Sequence, residues 1–191
     1  MILAVVSRLR RAADKSHRRL AGSGYGAAMP HPEAEPAWTT DLRSRVDELL
    51  DEYRASLHGC LDGLTEDEAR LRLVPSKTTL LGLLKHVIYV EGVWFDQAVT
   101  GRSYTEIGIA STPDRSFTLN KSDTIAAIQE AHRRRCEASR RTMAELTLDA
   151  IVDGRGARSV WALQLQVLRE LAQHAGHADI LREQILARRT S

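Results

Sequence analysis

Apolar residues recur every three or four positions from Thr40 onward, and this spacing constrains the fold more than any other feature of the chain. In the first stretch the recurring residues are Leu42, Val46, Leu49, Leu50, Tyr53, Leu57 and Leu61. Such spacing places side chains on one face of an α-helix, whereas a half-buried strand alternates them at every second residue. The pattern predicts a helix that Thr40 caps and that Gly63 ends.

The same periodicity predicts three more long helices, over residues 78–100, 123–146 and 160–188, with Ser122 and Ser159 as caps of the last two. The sequence Thr65-Glu66-Asp67-Glu68 is a capping box that starts one short helix. Residues 101–121 show no clear period, and a connection of this length lets the chain cross a bundle. No strand pair with a hairpin turn is predicted. We therefore predict an all-α four-helix bundle with a long crossover connection and one short extra helix.

Residues 1–37 differ from the rest of the chain. Five arginines and Lys15 stand against Asp14 alone in residues 1–20, and a Gly/Ala/Pro-rich stretch follows over residues 22–37. This composition predicts a flexible basic extension, with residues 38–191 forming the bundle domain. An upstream start codon, with Met29 as the working one, is an alternative origin for residues 1–28.

Global composition excludes several classes of protein. The formal net charge of +2 does not indicate a nucleic-acid-binding protein, and no run reaches the ~20 apolar residues of a membrane span. Cys60 and Cys136 are too few for a disulfide framework and fall within predicted helices, so we expect reduced, buried thiols. A cytoplasmic protein with a small-molecule substrate is the expectation.

Three histidines fall on helix faces that are otherwise apolar. At about 100° per residue, Glu170, His174 and His177 lie on the same stripe of the last helix as Leu163 and Leu181. His86 shares its side of the second long helix with Leu83, Val90 and Val93. Burying these polar groups without partners would cost a few kcal/mol each, so something must satisfy them.

We expect a divalent metal to satisfy them, because imidazoles on facing helices of a bundle are common ligands for zinc and nickel. Three protein ligands leave a coordination position open for water or substrate. The favoured set is His86, His174 and His177, with Glu170 as a catalytic residue that orients a ligand or moves a proton. The alternative set is His86, Glu170 and His174, with His177 beside the metal.

Two motifs carry a resemblance to a known family. The segment from Thr79 to His86 with Glu91-Gly92-Val93-Trp94-Phe95, and the segment from Gln173 to Glu183, resemble the DinB-like (DinB/YfiT-like) superfamily, and more closely an uncharacterised actinobacterial branch. The resemblance covers residues 39–188. Many relatives space the two ligands of the last helix by four residues, but Gln173 occupies the position four before His177.

This resemblance implies a four-helix bundle with a divalent metal near one end, and frequent homodimers. It also implies a metal-dependent enzyme that uses a low-molecular-weight thiol, such as a mycothiol-type S-transferase or isomerase. The alternative is a non-enzymatic stress-response or binding bundle with a vestigial metal site. Tyr104 and Asp114, on the long connection, are expected at the entrance of the site.

Overall fold

The computed structural model describes residues 41–189, in which the regular structure is almost entirely helical. The helices are α1 (Leu42–Gly59), α2 (Glu66–Ala69), α3 (Leu80–Glu91), a π-helical segment (Gly92–Gln97), α4 (Ala98–Thr100), α5 (Tyr104–Ile107), α6 (Pro113–Ser116), α7 (Ile125–Ala144) and α8 (Val160–Ala187). The predicted all-α class is confirmed. The basic extension predicted over residues 1–37 lies outside the described residues.

Side-chain caps start α1, α2, α3, α5, α6 and α7, with two corrections to the sequence prediction, whereas Ser159 precedes α8 without a capping hydrogen bond from its side chain. The Asp41 carboxylate accepts a hydrogen bond from the first turn of α1, so Asp41 caps this helix instead of Thr40. Thr124 caps α7 in the same way, whereas Ser122 belongs to the preceding turn. The capping box of Thr65 and Glu68 forms with both of its reciprocal hydrogen bonds, as predicted.

The four long helices pack against one another in pairs, α1 with α8, and α3 with both α7 and α8. Their shared core is aliphatic and includes the fully buried Leu50, Leu57, Leu84, Val167 and Leu171. Each such side chain stabilises the fold by about 1.5–3 kcal/mol relative to an exposed one. Among the helices of residues 41–189, none is both long and apolar enough to cross a membrane.

The long connection contains two short helices that periodicity did not predict, so the expectation of one short extra helix is wrong. Ser103 caps α5 through a capping box with Glu106, and Thr112 caps α6, with Pro113 at its first position. A helix of four residues is too short to establish a hydrophobic period, which explains the omission. The sequence signals that could have predicted α5 and α6 are the capping residues Ser103 and Thr112 and the proline that follows Thr112.

Two strands of two residues each, β1 (Ile151–Val152) and β2 (Arg158–Ser159), pair antiparallel, contrary to the prediction of no strand pair. Such short strands carry no alternating pattern. Gly154 lets their loop approach the end of α4, since a Cβ there would lie 2.3 Å from the Gln97 carbonyl oxygen. The pairing therefore depends on tertiary contact.

Candidate metal centre

His86 lies in α3 and is held by the long connection. Its Nδ1 is 2.6 Å from the Ser116 hydroxyl at the end of α6, and this hydroxyl donates to the Pro113 carbonyl oxygen at 2.5 Å. The Phe117 ring stacks on the imidazole, with ring centroids 4.0 Å apart and planes 14° from parallel. A hydrogen bond and a stacking contact together fix the orientation of this imidazole.

His174 lies on α8 across from His86, with the two ring centroids 4.9 Å apart and the rings nearly perpendicular. The residue is 9% exposed, and neither of its buried ring nitrogens has a hydrogen-bond partner among the described residues. Its Nε2 lies 3.7 Å from Glu170 Oε2, which is too long for a hydrogen bond. An unsatisfied buried polar group costs about 1–3 kcal/mol, so the ring nitrogens of His174 are expected to bind a ligand that offsets this cost.

The donor atoms of His86, Glu170 and His174 all lie within 4.8 Å of one another. The residues of the alternative ligand set therefore converge. Two imidazole nitrogens and one carboxylate oxygen are a donor set that suits zinc, nickel or iron. The convergence and the orphaned nitrogens of His174 fit a bound divalent cation.

The favoured set from the sequence also included His177, which lies one turn further along α8. His177 is exposed, and its ring centroid is 5.8 Å from that of His174. Glu170, the predicted catalytic residue, is half-buried, and its carboxylate accepts hydrogen bonds from Gln166 at 2.8 Å and Arg169 at 2.9 Å. Glu170 thus points its charge toward the two buried histidines while its outer side contacts α8 neighbours.

Burial controls the protonation of the two buried imidazoles. Burial and the adjacent His174 lower the pKa of His86 to about 4. Burial also lowers the pKa of His174, an effect that the Glu170 carboxylate partly opposes. Both imidazoles are therefore neutral at pH 7, which is the form that binds a metal.

The sequence matches the model of one known protein family over most of its length. Residues 45–187 match the family described as mycothiol-S-transferase. The chain belongs to this mycothiol-S-transferase family. This match confirms the DinB-like resemblance and spans α1 to α8. No individual curated protein matches the sequence.

The two residues expected at the entrance of the candidate site make different contacts. The Tyr104 ring meets Tyr89 edge-on at 6.1 Å, and its hydroxyl accepts a hydrogen bond from Arg155 at 2.6 Å. Asp114 pairs with Lys77 at the surface. The residues of the connection that contact His86, Ser116 and Phe117, were missed, because a lone serine beside an aromatic residue forms no recognisable motif.

A second polar cluster lies apart from this centre, beside a cavity of about 420 Å³ between α1 and α7. His132 is only 2% exposed, its Nδ1 is 3.3 Å from His58 Nδ1, and its Nε2 is 3.4 Å from Cys136 Sγ. Arg54 and Glu91 form a buried ion pair beside them. Each of these groups has a protein partner, so the cluster is explained as a satisfied core network.

Proposed function

We propose that this member of the mycothiol-S-transferase family is a metal-dependent enzyme that joins a low-molecular-weight thiol of the mycothiol type to a small-molecule substrate. The observation that supports it most is His174, whose two buried nitrogens lack partners and which converges with His86 and Glu170. Family membership supports the thiol and the transfer reaction.

We propose His86, Glu170 and His174 as the ligands of a divalent cation, zinc or nickel. The Glu170 carboxylate supplies one negative charge against the two charges of the cation, and the Gln166 and Arg169 hydrogen bonds hold it in place. Three protein ligands leave a position open for substrate or water. His177, exposed next to His174, is then left for proton transfer at the rim.

A divalent cation held by His86, Glu170 and His174 would lower the pKa of a thiol or water and so would supply a nucleophile at neutral pH. In a transfer, the thiol sulfur forms a bond to an electrophilic carbon of the substrate, and the leaving group departs with its bonding electron pair. The thiol proton passes to His177 or to solvent. An isomerase would instead add the thiol to a double bond and later expel it. The bundle positions the reacting groups and excludes water around His86 and His174.

Metal content measured by mass spectrometry, on protein purified without a histidine tag or chelator, tests this proposal. We expect about one zinc or nickel ion per chain, the stoichiometry of a single three-ligand site. His86→Ala and Glu170→Gln should lose most of the metal, whereas His177→Ala should retain it. Loss in His177→Ala together with retention in Glu170→Gln would instead favour the three-histidine set.

Thiol consumption by the metal-loaded protein, with mycothiol and an electrophilic bimane as substrates, tests the activity itself. We expect turnover that chelation abolishes and that zinc or nickel restores. Wild-type protein that binds no divalent cation would instead support the non-enzymatic binding bundle. The homodimer implied by the resemblance stays a prediction, which analytical ultracentrifugation of the same sample tests.

A further inference from the structure

The Ser116 hydroxyl lies between an imidazole nitrogen and a carbonyl oxygen. It is 2.6 Å from His86 Nδ1 and 2.5 Å from the Pro113 carbonyl oxygen. A hydroxyl has a single proton, and a carbonyl oxygen only accepts hydrogen bonds. The Ser116 proton is therefore directed at Pro113, and the Ser116 oxygen accepts a hydrogen bond from His86. This arrangement requires the His86 proton to be on Nδ1.

With the proton on Nδ1, the lone pair of His86 is on Nε2. We propose that Ser116 is a positioning residue that holds His86 in the Nδ1–H tautomer, so that Nε2 is presented to the cation. This inference rests on the proposed metal site, because it assigns a role to a residue that acts through a proposed ligand. A hydrogen bond to the outer nitrogen of a metal-binding histidine fixes its tautomer and its ring orientation.

The surroundings of Ser116 are built to keep this hydroxyl in place. The residue is buried, and it ends a helix whose start is fixed by the Thr112 cap and by Pro113. Gly82 allows the following turn to approach α3, since a Cβ on Gly82 would lie 3.0 Å from the Phe117 carbonyl oxygen. His86 and His174 thus differ: one is oriented by the protein before metal binds, and the other has no hydrogen-bond partner among the described residues.

Long-range proton–nitrogen correlation spectra of the metal-free protein at neutral pH test the tautomer directly. We expect wild-type His86 to show a protonated Nδ1 and an unprotonated Nε2. In Ser116→Ala, we expect the population to shift toward the Nε2–H tautomer that free imidazole side chains prefer. A wild-type His86 protonated at Nε2, or a tautomer that Ser116→Ala leaves unchanged, would overturn the inference. This readout requires no bound metal.

Zinc affinity tests the consequence for the site, through the isosteric pair Ser116→Thr and Ser116→Val. These two side chains have nearly the same volume and differ in the hydroxyl, so any packing defect is shared. We expect Ser116→Val to bind zinc about 10–100-fold more weakly than Ser116→Thr, the usual effect of removing such a partner. With cobalt bound in place of zinc, we expect the visible absorption spectrum of Ser116→Val to differ from that of the wild type and the spectrum of Ser116→Thr to match it.

Ser139→Ala is the matched control, because Ser139 is an equally buried serine on α7 and its loss should leave zinc affinity unchanged. Equal zinc affinity and equal cobalt spectra for the threonine and valine variants would overturn the positioning role while leaving the metal site intact. Wild-type protein without zinc affinity would overturn the proposed function, and the spectra of the metal-free protein would still decide the tautomer.

Discussion

The buried ion pair between α1 and α3 allows a quantitative test of the core. Arg54 donates hydrogen bonds to both carboxylate oxygens of Glu91, at 2.7 and 3.0 Å, and Glu91 is 0% exposed. Without Arg54, the remaining contact of this carboxylate includes the Cys136 thiol at 3.8 Å, which is a weak donor. Breaking a buried pair by removing one partner costs about 3–5 kcal/mol. We expect Arg54→Met to lower the free energy of unfolding by this amount at pH 7.5.

The pH dependence of this loss has a definite sign. Burial would raise the pKa of Glu91, but the Arg54 charge and its hydrogen bonds hold this pKa below the ordinary 4.5. In the wild type the pair therefore stabilises fully above pH 4.5, and this stabilisation is lost as the pH falls through the folded-state pKa. In Arg54→Met the opposing charge is gone, so burial raises the Glu91 pKa above its unfolded value. The destabilisation should then shrink as the pH falls toward 4.5.

Urea unfolding followed by circular dichroism at pH 7.5 and pH 5.5 measures both effects. Asp51→Asn is the control, because Asp51 also pairs with Arg54 but is exposed, and its loss should cost less than about 1 kcal/mol. The double variant Arg54→Met with Glu91→Leu should recover most of the stability, since it removes both charges. An Arg54→Met penalty below about 1 kcal/mol, or one that is equal at the two pH values, would refute this account.

Three other outcomes follow from the packing. Gly154→Ala should destabilise the fold by about 1–3 kcal/mol in thermal unfolding, because its Cβ would lie 2.3 Å from a main-chain oxygen. Gly176→Ala is the control: a Cβ at this helical position would have no atom within 4 Å, so this substitution should stabilise the fold by up to about 1 kcal/mol. Gly82→Ala should weaken zinc binding about ten-fold in calorimetry, by displacing the turn that carries a hydrogen-bond partner of His86; unchanged affinity would contradict this. Cys60, whose pKa burial raises to about 12, and Cys136, whose pKa burial also raises, should not react with a thiol reagent at pH 7.5 until the protein is unfolded in urea.

Local pattern was sufficient for the long helices, because each of them exceeds three turns and repeats its apolar face several times. The capping box at Thr65 and the stop at Gly101 also follow from local chemistry, and both appear as predicted. The caps Asp41 and Thr124 lie one and two residues after the predicted caps Thr40 and Ser122. Neighbouring Ser, Thr and Asp side chains can all cap a helix, and the sequence does not rank them.

Candidate site residues were predictable as a group but not as a ligand set. The wheel positions of Glu170, His174 and His177 differ by about 60° in all, which is too little for periodicity to separate buried from exposed. Packing against α3 makes that distinction, since His174 is buried and His177 is exposed. The ligand set therefore depends on where α8 lies against His86.

The sequence by itself determined that this chain forms long amphipathic helices with histidines on their apolar faces, because helix periodicity and capping depend on residues within a few positions of one another. Tertiary structure alone decided that Ser116 and Phe117 meet His86 and that Arg54 meets Glu91, because these partners are 30, 31 and 37 residues apart in the sequence. Contacts at such separations depend on how the helices pack and how the connection crosses them, and no local pattern encodes either.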